Sequence, residues 1–247
     1  MDISVLQLAA LAASALVIGG LMGATSVGGV LLVPMVALIC DVPIAQAIPV
    51  GMTVALCSGL AGSFVFARHG RVDRRAALAS FVPAGLGAIT GAVLLPVVPP
   101  GAITFGMVAV CALGFVGSLR SRTAVPPRSD GMSSSAFGAL FGVVGLGSSL
   151  SGTSGPLLLM PPLLWLGKDP REVTGMAQVI QLPVTGCACI GFAVLNVIDL
   201  QLVAVLAVPV IVGVIVGARW AQALAPGRLQ PLLSLVLLLA GALIVLR

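Results

Sequence analysis

The stretch SSLSGTSGP, Ser148 to Pro156, places five hydroxyls and two glycines between the apolar runs FGALFGVVGLG and LLLM. Two kinds of chemistry use such residues. One is nucleophilic catalysis, for which a serine needs a general base within hydrogen-bond reach. The sole histidine, His69, lies far upstream in the charged joint ARHGRVDRR, which leaves Ser154 without an evident base. The other is anion binding. Pro156 suits the first position of a helix, where its missing N–H costs nothing, with Ser154 or Gly155 as the cap. A helix start carries about half a positive charge and aims unpaired N–H groups at whatever lies before it.

A second glycine- and hydroxyl-rich stretch, GATSVGG from Gly23 to Gly29, also precedes a short apolar run. The two stretches together give the candidate substrate-binding residues Thr25, Ser26, Gly28, Gly29, Ser151, Thr153, Ser154 and Gly155. Gln178 and Gln181, three apart on one helical face, can add amide donors or else bond between helices. Small residues also permit close helix packing, and hydroxyls also cap, so chemistry is one of two roles open to both stretches. All seven acidic residues stand at the ends of apolar segments or in joints, so a cation finds no carboxylate in the interior and a proton no usual relay. No basic residue sits mid-segment either. An anion here is held by helix ends, N–H groups and hydroxyls, with no metal, no cofactor and no catalytic residue expected. The five cysteines lie in or beside apolar segments, where a thiol packs as a small hydrophobe, and their odd number gives no disulfide framework.

The elements that position these residues follow from composition. Of 247 residues 59% are hydrophobic and 8% charged, with a mean hydropathy of +1.22. Soluble domains hold about 25% charged residues, so this is an all-α polytopic membrane protein; the continuous apolar runs lack the alternation of a β-barrel. Ten segments are expected, near 4–22, 30–40, 44–67, 76–98, 101–119, 133–149, 156–167, 173–197, 200–224 and 229–246. Most match the ~20 residues that cross a bilayer core. The second and seventh reach only about half that depth.

Offset by 127, GGVLLVP (Gly28 to Pro34) falls on GPLLLMP (Gly155 to Pro161); offset by 126, VDRRAALASFVPAGLGAITGA falls on IDLQLVAVLAVPVIVGVIVGA. The chain reads as two copies of a five-segment unit, 1–122 and 132–247, joined by a cytoplasmic linker at 123–131. Eleven of the twelve Lys and Arg cluster at the joints after segments three, five, seven and nine. Cytoplasmic loops are rich in Lys and Arg, which accounts for the +5 charge without nucleic acid as a partner. The joint at Asp73 is then inside and its counterpart at Asp199 outside, so the repeats are inverted and both termini face the outer, periplasmic side. Trp165 and Trp220, beside Lys168 and Arg219, suit an interface or simple packing. The start MDISVLQLAA lacks a basic n-region and reads as a retained first span. Charge leaves open whether segments one and two each cross or dip in and return together. Inverted repeats with interrupted short segments in matching positions point to a secondary transporter whose site lies where the broken helices meet.

The motifs VGGVLLVP and TSGPLLLMP, the joints DVPIAQA and KDPREVTG, HGRVD and NVID, and the helices PAGLGAITGA and PVIVGVIVGA resemble the TauE/SafE sulfite exporter family, also called toluene-sulfonate uptake permeases. The likeness runs over nearly the whole chain. It departs at Ser154, Gly155 and Pro156, where the family often has three glycines. It implies a bacterial inner-membrane transporter of sulfite, thiosulfate or organosulfonates, with a small anion and the lipid bilayer as partners. Two rivals stand beside it. A ten-segment drug or metabolite exporter usually has more aromatic spans than a chain with no tyrosine, and GTSG (Gly152 to Gly155) resembles the serine motif of rhomboid intramembrane proteases but lacks a later histidine.

Overall fold

The computed structural model describes residues 5–67, 74–120, 134–165 and 170–223, together with Leu235, Leu238, Leu239, Ala242 and Ile244. His69, the 123–131 linker and Arg68, Arg71, Arg122, Arg128, Lys168 and Arg228 lie outside the described residues. The described residues form helices, with no strand among them. In order these are α1 (Val5–Thr25), a 3-10 turn (Gly28–Leu31) running into α2 (Leu32–Ile39), α3 (Ile44–Ala67), α4 (Arg74–Leu94), α5 (Pro100–Arg120), α6 (Ser134–Ser151), α7 (Pro156–Trp165), α8 (Pro170–Val194) and α9 (Leu200–Ala223). The five described positions beyond 223 are helical, where the tenth segment is expected.

Five stretches are long and apolar enough to cross a bilayer: Gln7–Thr25, Ile44–Val65, Leu78–Val97, Met176–Val194 and Leu200–Ala221. Their outward faces are apolar. On α9, Val208, Val212 and Val216 are exposed one turn apart, a stripe that suits hydrocarbon and not water. This is a multi-pass membrane protein.

Lipid tails are as apolar as the helices, so helix association relies on close van der Waals fit, and small residues provide it. The most extensive pairings are α1 with α9 and α4 with α6; α8 lies against α3 and α4, and α3 against α8 and α9. On α4, a Cβ at Gly87 would strike the backbone of Gly142 and Leu146 on α6; on α9, a Cβ at Gly213 would strike that of Leu16 and Gly20 on α1. Each residue of the first set is related to one of the second by an offset of 126 in number. The same offset relates Gly91 against Leu146 to Gly217 against Gly20, and Gly145 against Ala84 to Gly19 against Val210. Backbone thus meets backbone at equivalent places in both pairings.

The α1–α2 pair is a hairpin. Gln7 near the start of α1 donates from Nε2 to the Ile39 carbonyl at the end of α2 (3.2 Å), and a Cβ on Gly28 would lie 2.6 Å from the Met22 amide. The start of α1 and the end of α2 therefore stand side by side. Cys187 and Cys189, two apart, face different neighbours: Cys187 packs at Gly85 of α4, and Cys189 donates from Sγ to Thr53 Oγ1 of α3 (3.4 Å). No group of three or more metal-ligating side chains occurs among the described residues. Asp199 caps α9, its Oδ1 accepting the N–H groups of Gln201 (3.0 Å) and Leu202 (3.1 Å), which accounts for the carboxylate at that joint.

Candidate functional site

The first break forms because α1 cannot continue past Thr25. The Thr25 hydroxyl donates to Leu21 O (2.8 Å) and accepts the Val27 N–H (3.3 Å), while Ser26 takes a left-handed conformation, φ 62°, with its N–H on Met22 O (2.8 Å). The chain then turns back through the 3-10 turn. Val30 is the first residue there whose N–H finds an acceptor within the turn, Val27 O at 3.2 Å. The N–H groups of Gly28 and Gly29 precede it and have no intrahelical partner.

The second break is longer. After α6 ends at Ser151, three residues hold positive φ: Gly152 (68°), Ser154 (60°) and Gly155 (104°). The Ser151 hydroxyl donates to Gly147 O (2.6 Å) and pairs with the Thr153 hydroxyl (3.0 Å), and the Thr153 N–H reaches Ser148 O (3.2 Å). Helix α7 starts at Pro156, with Gly155 O accepting the Leu159 N–H (3.2 Å). Leu157 and Leu158 supply the first free N–H groups of α7.

The fold brings the two breaks into contact. A Cβ on Gly29 would lie 2.5 Å from Ser154 Oγ, so the serine hydroxyl sits directly over the Gly29 backbone. Gly152 packs on Val33 of α2 and Ile48 of α3, and Gly155 on Val184 of α8. Every hydroxyl here is buried: Thr25 is 4% exposed, Ser151 4%, and Ser26, Thr153 and Ser154 1% each. Ser154 Oγ has no hydrogen-bond partner among the described residues, and neither do Ser148 Oγ and Ser149 Oγ just before it. A buried hydroxyl without a partner costs about 1–3 kcal/mol, so two in the last turns of α6 and one in the break that follows are unusual.

The glutamines work differently. Gln178 Nε2 donates to Met22 O (3.0 Å) in the last turn of α1, and Gln181 Nε2 donates both to Ala55 O (2.6 Å) and to Ser58 Oγ (2.8 Å) on α3. An amide nitrogen has two hydrogens, so Gln181 has no donor left. Both glutamines are buried and tie α8 to its neighbours, Gln178 beside the first break and Gln181 away from it. Glycines make room for them: Gly59 faces Gln181 and Gly62 faces Gln178, an antiparallel match of two i, i+3 pairs. The shared face of the two glutamines follows from their spacing, but their glycine partners on α3 do not. The orphaned hydroxyls of Ser148 and Ser149 and the doubly used Met22 carbonyl carry no such signal, since serine late in a helix usually bonds to a carbonyl one turn back.

A family model, Sulfite exporter TauE/SafE, matches residues 8–244. The chain belongs to the TauE/SafE sulfite exporter family. No curated protein and no solved structure matches the chain. TauE/SafE proteins are sulfur-anion exporter-type membrane transporters, not enzymes. In this TauE/SafE chain the buried Ser154 hydroxyl stands over the Gly29 backbone, with no hydrogen-bond partner among the described residues.

Proposed function

We propose that the chain is a secondary carrier of small sulfur-containing anions, namely sulfite, thiosulfate or an organosulfonate, that works by alternating access at a site between the two breaks. One observation carries this reading: the Ser154 hydroxyl, buried and unpaired, lies over Gly29 where two helix starts converge. Helix starts favour anions, and an orphaned buried hydroxyl has its hydrogen-bonding capacity free for a ligand. Gly28, Gly29, Ser154 and Gly155 form the inner contacts, with Thr25, Ser26, Ser151 and Thr153 shaping the two turns. Gln178 holds the last turn of α1, and Gln181 anchors α8 to α3. Burial of every one of these hydroxyls means that entry requires the α1–α2 and α6–α7 segments to move against the rest.

The offset of 126 between equivalent glycine contacts supports reading 1–122 and 132–247 as inverted repeats. Clustering of Lys and Arg at four alternate joints supports an inner membrane orientation with those joints cytoplasmic and both termini outside. The test is flux of sulfite, thiosulfate and methanesulfonate into proteoliposomes holding the purified protein. Wild type carries at least one of them, Ser154→Ala carries it more weakly, and Gly28→Leu not at all. Absence of all three fluxes from correctly inserted wild type rejects the reading.

A further inference from the structure

We propose that Met22 is the specificity-determining residue of the site between the breaks: its thioether side chain fills the space over Gly28 and Gly29 beside the Ser154 hydroxyl, and so limits the size of the group that a transported anion can carry. This rests on the anion-carrier reading above and adds its selectivity.

The geometry starts at Gly29. From the point that a Cβ there would occupy, Ser154 Oγ lies at 2.5 Å and the Met22 terminal methyl, Cε, at 3.3 Å, so the unpaired hydroxyl and the methyl stand together over one glycine. Met22 Cγ lies 2.9 Å from the corresponding point on Gly28, so the side chain runs along both glycines. It is buried. A ligand that bonds to Ser154 over the Gly29 backbone must share this space with Met22.

The backbone of Met22 is held while its side chain can turn. Its carbonyl accepts both the Ser26 N–H (2.8 Å) and Gln178 Nε2 (3.0 Å), which ties the last turn of α1 to α8. The side chain is unbranched, with three rotatable bonds and a soft thioether that adapts to irregular space. The other apolar side chains nearest to the glycines of the breaks, Val33, Ile48 and Val184, are β-branched and stiff at χ1. Met22 is therefore the wall that yields, and the room it clears is what the substituent of a ligand can use.

The second break supplies the contrast. The Thr153 N–H bonds to Ser148 O (3.2 Å) as the Ser26 N–H bonds to Met22 O, so Met22 and Ser148 hold equivalent places at the two helix ends. Where the first break has a thioether, the second has a buried hydroxyl with no partner among the described residues. The long apolar side chain belongs to the first break alone, which leaves the charged end of an anion to the hydroxyls and its apolar substituent to Met22.

The experiment measures flux of sulfite, thiosulfate, methanesulfonate and benzenesulfonate into proteoliposomes holding wild type, Met22→Ala or Met22→Leu. The readout is the ratio of benzenesulfonate flux to that of the fastest of the three smaller anions, which does not depend on the amount of folded protein. Met22→Ala should raise this ratio about tenfold or more, because even one methylene of room in an apolar pocket discriminates by about that factor. Met22→Leu conserves volume and should leave it near the wild-type value. Should Met22→Ala fail to assemble, Met22→Val, too short to reach Gly29, gives the same readout. A ratio unchanged by truncation, an equal rise in Met22→Leu, or wild type carrying benzenesulfonate as fast as the smaller anions overturns the role of Met22 and leaves the carrier in place. Absence of flux for every probe in wild type removes the proposal together with the reading beneath it.

Discussion

Ser154 Oγ and Gly29 meet face to face: the hydroxyl lies 2.5 Å from the point that a side chain on Gly29 would fill. The contact joins the break after α1 to the break after α6, 125 residues apart in sequence, and it exists only because Gly29 has no Cβ. Gly29→Ala should therefore drive the two breaks apart and cut anion flux by at least about tenfold, since core overpacking costs about 1–3 kcal/mol. The double variant Gly29→Ala with Ser154→Gly restores the space and should regain part of the fit, which a double-mutant cycle on thermal stability would register as coupling. Additive effects would disprove the contact.

Ser154→Ala separates function from stability. It deletes a buried hydroxyl that has no partner, so the protein should melt a few degrees higher, about 1–3 kcal/mol of gain, while anion flux declines. A residue kept for packing alone would move both readouts together. A lower melting temperature in detergent contradicts the unpaired state of this hydroxyl.

Glycine positions should divide sharply by neighbour. Gly217→Val, whose Cβ would strike the Gly20 carbonyl, should prise α1 from α9 and abolish a stable monodisperse protein. Gly106→Ala, with nothing within 4 Å of the added methyl, should be neutral or stabilise α5 by up to about 1 kcal/mol through helix propensity. Size-exclusion profiles and melting curves of the two variants check this.

Loss of Gln181 should loosen the α3–α8 contact without touching the breaks. Gln181→Leu removes both donors from Ala55 O and Ser58 Oγ and should destabilise by about 1–3 kcal/mol, with the affinity for the transported anion nearly unchanged. A large rise in KM at normal stability would instead make Gln181 a ligand.

Cys40, just beyond α2, offers a probe of orientation and of pH. Burial, and to a lesser degree the nearby Asp199 carboxylate, push its thiol up from the ordinary value. The thiolate is the reactive form, so alkylation of a variant retaining only Cys40 should be slow at neutral pH and accelerate as pH rises. Asp199→Asn, which keeps a helix cap, removes the negative charge and should hasten the reaction at fixed pH. With the termini outside, a membrane-impermeant maleimide should reach Cys40 in right-side-out vesicles and not in inverted ones.

Much of this was legible in the residues. Apolar runs set the helices because a bilayer leaves backbone groups no partner but one another, and the expected segments at 44–67 and 200–224 match α3 and α9 to within a residue. Glycine, proline and hydroxyl clusters marked both breaks, because they are the residues that tolerate left-handed turns and start helices. The seats that Gly59 and Gly62 offer to Gln181 and Gln178 came from the packing of α3 on α8. Which way each polar atom turned was decided only by the tertiary structure. Ser151 and Thr153 satisfy each other, Gln181 spends its donors on α3, and Ser154, chemically no different from its neighbours in SSLSGTSGP, is left unpaired above Gly29. Hydrogen bonds between distant segments form or fail by fractions of an ångström, and those distances arise from helix packing across the whole bundle, which no local run of residues encodes.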